Sequence, residues 1–189
     1  MANDTLVRTA ICTALVLAMT GCANPINRVT YDNYREACGQ GSDEACYRAW
    51  VNTRVGNLGP ELESQALYNW GLQRTRHGRF AEAEEPLLTS LELEEGLPNP
   101  SQERIGRRLA QLAIATGRQG KIDIGLSYMD RLLPLASLYQ EQERRVVAAL
   151  CALYAEELQK RGEVERAEAY EAKVKELGFD IEKMRKGET

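Results

Sequence analysis

The stretch Arg76-His77-Gly78-Arg79-Phe80-Ala81-Glu82-Ala83 decides the fold, because its outline returns twice further along the chain. Gly78, Gly120 and Gly162 stand 42 residues apart. Two residues after each glycine comes an apolar side chain, Phe80, Ile122 and Val164, and three further on a small residue, Ala83, Gly125 and Ala167. Seven residues before each glycine is another small residue, Gly71, Ala113 and Ala155, preceded by Trp70, Leu112 and Tyr154. A fixed period of this length predicts an array of two-helix units, each burying its apolar face by stacking on its neighbours. The small residues let paired helices approach closely, and the apolar residue after the turn fills the gap between hairpins.

The 189 residues suit one domain with a sizeable core. Alanine, leucine and glutamate dominate and aromatics are few, which favours helix over sheet. The formal net charge is −4 with acids and bases interleaved, so there is no basic field for nucleic acid. A single histidine, His77, leaves little material for a zinc site or a catalytic triad.

The N-terminus reads as a processing segment. Arg8 precedes a short, mostly apolar run from Thr9 to Met19, too short to span a bilayer. It leads into Met19-Thr20-Gly21-Cys22, which resembles the lipobox of bacterial lipoproteins, with methionine where leucine is more usual. The resemblance implies a signal peptide over 1–21 and a Cys22 that becomes the acylated first residue, carrying palmitate-type chains. Several chains together anchor stably where one is marginal. Ala23 follows, not the aspartate that often holds such proteins at the inner membrane, so the expected location is the periplasmic face of the outer membrane. The alternative is an ordinary cleaved signal peptide with Cys22 incidental. Residues 22–30, with Asn24-Pro25 and Asn27, read as a tether.

Residues 31–60 form a helical hairpin in this reading, with Thr30 capping the first helix and Ser42 the second. Gly39 and Gly41 stop the first helix, and Asp43 and Glu44 suit the positive end of the second. The turn places Cys38 and Cys46 near each other. From the residues alone they are a bridge or two free thiols in a small core. Glu36-Ala37-Cys38 and Glu44-Ala45-Cys46 on the two sides of the turn resemble the cysteine-rich Sel-like repeats. That resemblance implies a Cys38–Cys46 disulfide, a bond that persists in the periplasm. Cys151 reads as a buried structural thiol.

Residues 61–178 hold the three long units: helices over about 61–76 and 80–95, 101–116 and 122–136, and 138–161 and 163–177. Pro86 is expected to bend its helix and Pro134 to mark a last turn. Residues 179–189 read as a polar C-terminal helix or tail. The pattern at Gly71, Gly78, Phe80 and Ala83 resembles the tetratricopeptide repeat, more loosely in the second and third units. The resemblance implies an all-α solenoid of antiparallel helix hairpins. The period of 42 departs from the family's usual length of about 34.

Nothing in the chain assembles a catalytic constellation. His77 has no nucleophile placed with it by a motif, and no Gly-rich phosphate loop occurs. Glu82, Glu84, Glu85, Glu92, Glu94 and Glu95 lack calcium-loop spacing and read as a solvated helix face. No cofactor or metal is expected, and the chain is read as a binding protein rather than an enzyme. In the tetratricopeptide family the first helix of each hairpin lines a concave surface. Its register implies a peptide groove of Gln65, Tyr68, Asn69, Leu72 and Arg76, then Arg107, Ala110 and Ile114 with Arg104 nearby, then Ala152, Glu156 and Lys160. The carboxylate clamp of chaperone-binding members is absent, since Tyr68 and Leu72 stand where it uses Lys and Asn. The arginines suit an extended peptide carrying an acidic group, or they merely pair with nearby glutamates. The leading expectation is an envelope adaptor or assembly factor that holds a protein partner at the membrane. The alternative is a module for a small peptide or cell-wall fragment.

Overall fold

The computed structural model describes residues 25–186, so the expected signal segment and Cys22 lie outside the described residues. Among the described residues the chain is helical with no strand. The helices are α1 (Pro25–Gly39), α2 (Asp43–Val55), α3 (Pro60–Arg76), α4 (Phe80–Glu95), α5 (Gln102–Arg118), α6 (Ile122–Leu132), α7 (Glu141–Lys160), α8 (Val164–Glu176) and α9 (Ile181–Lys186). A 3-10 segment, Leu133–Leu138, joins α6 to α7. Neighbours pair as hairpins, α1 with α2, α3 with α4, α5 with α6 and α7 with α8. The first helices also touch one another in series, α1 to α3, α3 to α5 and α5 to α7, and α9 packs on α7 beyond them. Among the described residues the backbones of the second helices stay further apart, with Arg131 of α6 reaching Glu95 of α4 through its side chain, so the first-helix side of the row is the tighter side.

The three motif glycines end their helices alike, at φ 72°, 74° and 76° for Gly78, Gly120 and Gly162. This left-handed region is open to glycine without a Cβ penalty. The residue after each glycine donates its N–H to the carbonyl five residues back: Arg79 to Arg74, Lys121 to Thr116 and Glu163 to Leu158. The small flanking positions are buried where the helices cross. A Cβ on Gly71 would lie 2.4 Å from Leu87 Cγ, and one on Gly125 would lie 1.7 Å from Tyr154 Oη. Ile122 is buried and Phe80 is partly buried against the main core, whereas Val164 is 57% exposed. Ion pairs link successive turns: Arg79 to Asp43, Lys121 to Glu84 and Arg161 to Asp123. Being exposed or half-exposed, each contributes at most about 1 kcal/mol.

Cys38 and Cys46 form a disulfide across the α1–α2 turn. Ser42 caps α2, accepting the N–H of Ala45. This hairpin is joined to α3 by a ladder in which Arg54 lies over Trp50, Trp50 stacks on Trp70 with centroids 5.5 Å apart, and Arg74 lies 4.0 Å over Trp70. Arg74 has a second task. Pro86 has no N–H for the carbonyl of Glu82, and the Arg74 guanidinium donates to that carbonyl at 3.0 Å, so α4 continues through the proline.

Three expectations are corrected. The helix begins at Pro25, inside the stretch read as a tether, because proline suits a first helical turn. Thr30 is then interior to α1 and donates its hydroxyl to the carbonyl of Ile26 rather than capping. Glu94, read as part of a solvated face, is fully buried. It meets Arg108, which is 1% exposed, in the middle of the row. Arg108 donates to Ser90 Oγ and Ser64 Oγ, both at 2.8 Å, and to the carbonyl of Arg104. Its guanidinium lies 3.3 Å from Glu94 Oε2, while Glu94 Oε1 accepts from Arg104 Nε and the Ser101 N–H. Burial lowers the Arg108 pKa, and the neighbouring Glu94 opposes that shift.

Two stability predictions follow from these junctions. Arg108→Met leaves the Glu94 carboxylate without its buried guanidinium partner and lowers the urea-unfolding free energy by about 3–5 kcal/mol, and adding Glu94→Gln recovers more than half of that. Cys38→Ser/Cys46→Ser removes a bridge over a sequence separation of 8 and lowers it by about 2–3 kcal/mol, read on the oxidised wild type beside the variant.

Candidate functional site

The row of first helices carries two clefts, one on each side of α3. The first, of about 280 Å³, lies between α3, α5 and α7 and is lined by Tyr68, Gly106, Ala110, Gln111, Tyr139 and Val146, with Arg107, Glu143 and Val147. The second, of about 340 Å³, lies between α1 and α3 and is lined by Arg35, Cys38, Gly39, Gln65, Asn69 and Leu72, with Gln73 and Arg76.

The walls of the first cleft are fixed by contacts between helices. Arg108 sits 5.2 Å from the centroid of the Tyr68 ring and supports it from the core side. Burial raises the Tyr68 phenol pKa, and Arg107, Arg108 and Arg76 pull it the other way. Gly106 lets Tyr139 lie flat on α5, since a Cβ there would stand 1.6 Å from Tyr139 Oη. Tyr139 donates its hydroxyl to the carbonyl of Glu103, and burial pushes its pKa up to about 12. Glu143 closes the rim: Oε1 accepts from Arg107 Nε and Nη2, and Oε2 accepts the N–H of Gln140 at the start of α7. The floor is apolar and the rim is a neutralised charge pair. Such a cleft takes an apolar or aromatic side chain better than an ion.

The expected groove residues divide between these clefts and the core. Gln65, Asn69, Leu72 and Arg76 line the α1–α3 cleft, and Tyr68, Arg107 and Ala110 line the α5–α7 cleft. Ile114 lines neither and is partly buried against the core. Arg104 is held by Glu61 and Glu94, and Arg107 by Glu103 and Glu143. Arg76 is exposed and has no ion-pair partner among the described residues. Gln65 donates to Asn69 along α3, and Gln73 donates to the carbonyl of Cys38, holding α1 against α3. Ala152 is buried, and Lys160 pairs with Glu156 and Glu157. The sequence reading omitted Gln111, Tyr139, Glu143 and Val146. The expected helix over 138–161 includes Tyr139, but α7 starts at Glu141, so Tyr139 stands outside its register. Gln111 and Val146 do follow helical spacing from Arg107 and Glu143.

His77 ends α3 on the surface, and Cys151 is a buried thiol whose pKa burial pushes up to about 12. Among the described residues no group of three or more His, Cys, Asp or Glu side chains is placed to hold a metal ion. No family model, curated protein or solved structure matches the chain.

Gly106→Ala tests how the cleft is built. The added methyl displaces Tyr139 and breaks its hydrogen bond to Glu103. The expected cost is about 1–3 kcal/mol in thermal unfolding, together with greater exposure of Tyr139 to solvent by ultraviolet difference absorbance.

Proposed function

We propose that the chain is an adaptor of the bacterial cell envelope, anchored through an acylated Cys22 to the periplasmic face of the outer membrane. Its helix hairpins form a tetratricopeptide-like solenoid whose concave, first-helix face holds an extended segment of a protein partner. The observation that carries this reading is the pair of clefts flanking α3 on one face. An extended peptide crossing α3 would place an apolar side chain between Tyr68, Ala110 and Val146 and an acidic group beside Arg76. That division differs from the one drawn from the family register, which gave the acid to Arg76, Arg104 and Arg107 alike. Arg104 and Arg107 already have carboxylate partners, and Arg76 has none among the described residues. The series of first-helix contacts and the shared turn geometry support the solenoid reading. The Met19–Cys22 motif supports the anchor. Among the described residues no helix is long and apolar enough to cross a membrane.

A second reading, a module for a small peptide or cell-wall fragment, draws on the size of the α5–α7 cleft. Its volume of about 280 Å³ is near the lower end for small-ligand pockets, about 300 Å³.

The test is a crosslinked pull-down from solubilised membranes with wild type, Val146→Glu and Arg76→Glu. Both sites are exposed, so both variants should melt like wild type. The adaptor reading expects one discrete partner with wild type, reduced at least about tenfold by either variant, as loss of one anchoring contact produces. A partner retained by both variants would move the contact off this face. No partner, with a small peptide raising the melting temperature, would favour the second reading. Cys22→Ala is expected to release the chain from the membrane fraction.

A further inference from the structure

The three most exposed large apolar side chains among the described residues are Val55 at 75%, Ile26 at 71% and Val29 at 62%. All three belong to the first hairpin. Ile26 and Val29 are one turn apart on α1, on the side away from buried Tyr31 and Cys38. Val55 is the last residue of α2, and the antiparallel pairing returns it to the start of α1. The two ends meet there: a Cβ on Gly56 would stand 2.6 Å from Asn27 Cβ. Arg28 and Arg54, next in sequence to Val29 and Val55, are exposed and held by Asp32 and Glu63.

The chain leading to this patch is short. Cys22 precedes Pro25 by three residues, and consecutive Cα atoms are about 3.8 Å apart, so their Cα atoms are at most about 11 Å apart. The headgroup layer on one side of a bilayer is roughly 5–8 Å thick. A chain acylated at Cys22 therefore keeps the start of α1 within a few Å of the headgroup layer.

We propose that Ile26, Val29 and Val55 are a membrane-contact surface, seated at the boundary between headgroups and acyl chains, with Arg28 and Arg54 at the level of the lipid phosphates. This rests on the reading of Cys22 as the acylated residue. The lipid anchor then holds the domain at the surface, and the patch fixes its orientation. The open end of the first hairpin faces the bilayer, and the tight-turn end, with Gly162 and Glu165, faces away. Interfacial apolar residues beside basic ones are the usual composition of such a contact.

The test uses the full-length lipidated chain, purified and reconstituted in vesicles of phosphatidylethanolamine and phosphatidylglycerol. Cys38 and Cys46 are bridged and Cys151 is buried, so a cysteine placed at Val29, Val55 or Glu165 is the accessible thiol for an environment-sensitive fluorophore. The proposal expects blue-shifted emission and quenching by spin-labelled lipid at Val29→Cys and Val55→Cys, with Glu165→Cys unshifted. It also expects Ile26→Asp to abolish the shift at position 55 while the acyl mass on Cys22 is unchanged. An acylated chain with water-like emission at all three positions would overturn the contact surface and leave the anchor standing. A chain without acyl mass on Cys22 would overturn both. The same blue shift without vesicles, in a chain that sediments as a dimer, would overturn the proposal in favour of a second copy on this patch.

Discussion

The guanidinium of Arg108 holds the middle of this molecule together. It reaches from α5 to Ser64 on α3 and to Ser90 and Glu94 on α4, so three helices from two hairpins meet at one buried cation. Ser64 and Ser90 also exchange hydroxyl-to-carbonyl hydrogen bonds at 2.8 and 2.7 Å, which brings α3 and α4 close. A buried ion pair is weak support for stability by itself, because desolvation opposes the attraction. Its effect here is on register: an apolar contact tolerates sliding, while three hydrogen bonds from one planar group to fixed oxygens do not. The outer edge of the same side chain supports the Tyr68 ring, so the wall of the cleft inherits its position from the core.

Further from that centre the structure relies on repeated local rules. Left-handed glycines end the helices, small residues sit at the crossings, and exposed ion pairs link one turn to the next. The first hairpin is attached differently. A disulfide closes its turn and a stack of two arginines and two tryptophans fastens it to α3. That attachment leaves its apolar side chains at the N-terminal end unburied and sets one wall of the α1–α3 cleft. Both clefts are therefore bounded by rigid helices, which lowers the ordering cost of holding a peptide.

The hairpins were legible in the sequence because their demands are local. A positive φ asks for Gly78, Gly120 and Gly162, and close crossings ask for Gly71, Ala113 and Ala155, wherever the partners come from. The Glu94–Arg108 centre was legible in part. Arg108 falls on the stripe of Ile105, Leu109 and Leu112, which marks it as inward-facing, but Glu94 was grouped with neighbouring glutamates by composition. Its burial depends on a partner on the next hairpin. The pairing of Arg104 and Arg107 with nearby glutamates was one of the two readings, and Glu94 and Glu103 fulfil it, but Glu61 and Glu143 are far away in sequence and reach them only through the stacking of hairpins. The start of α1 was missed because Asn24-Pro25 was read as a break, when proline also opens helices.

The most direct measurement of the docking claim is photocrosslinking in intact cells, with a photoreactive amino acid at Val146 on the first-helix face or at Leu88 on a second helix, both partly exposed to similar extents. The account predicts a discrete protein adduct at Val146 that Arg76→Glu diminishes, and none at Leu88. An adduct at Leu88 alone, or an adduct at Val146 indifferent to Arg76→Glu, would contradict it.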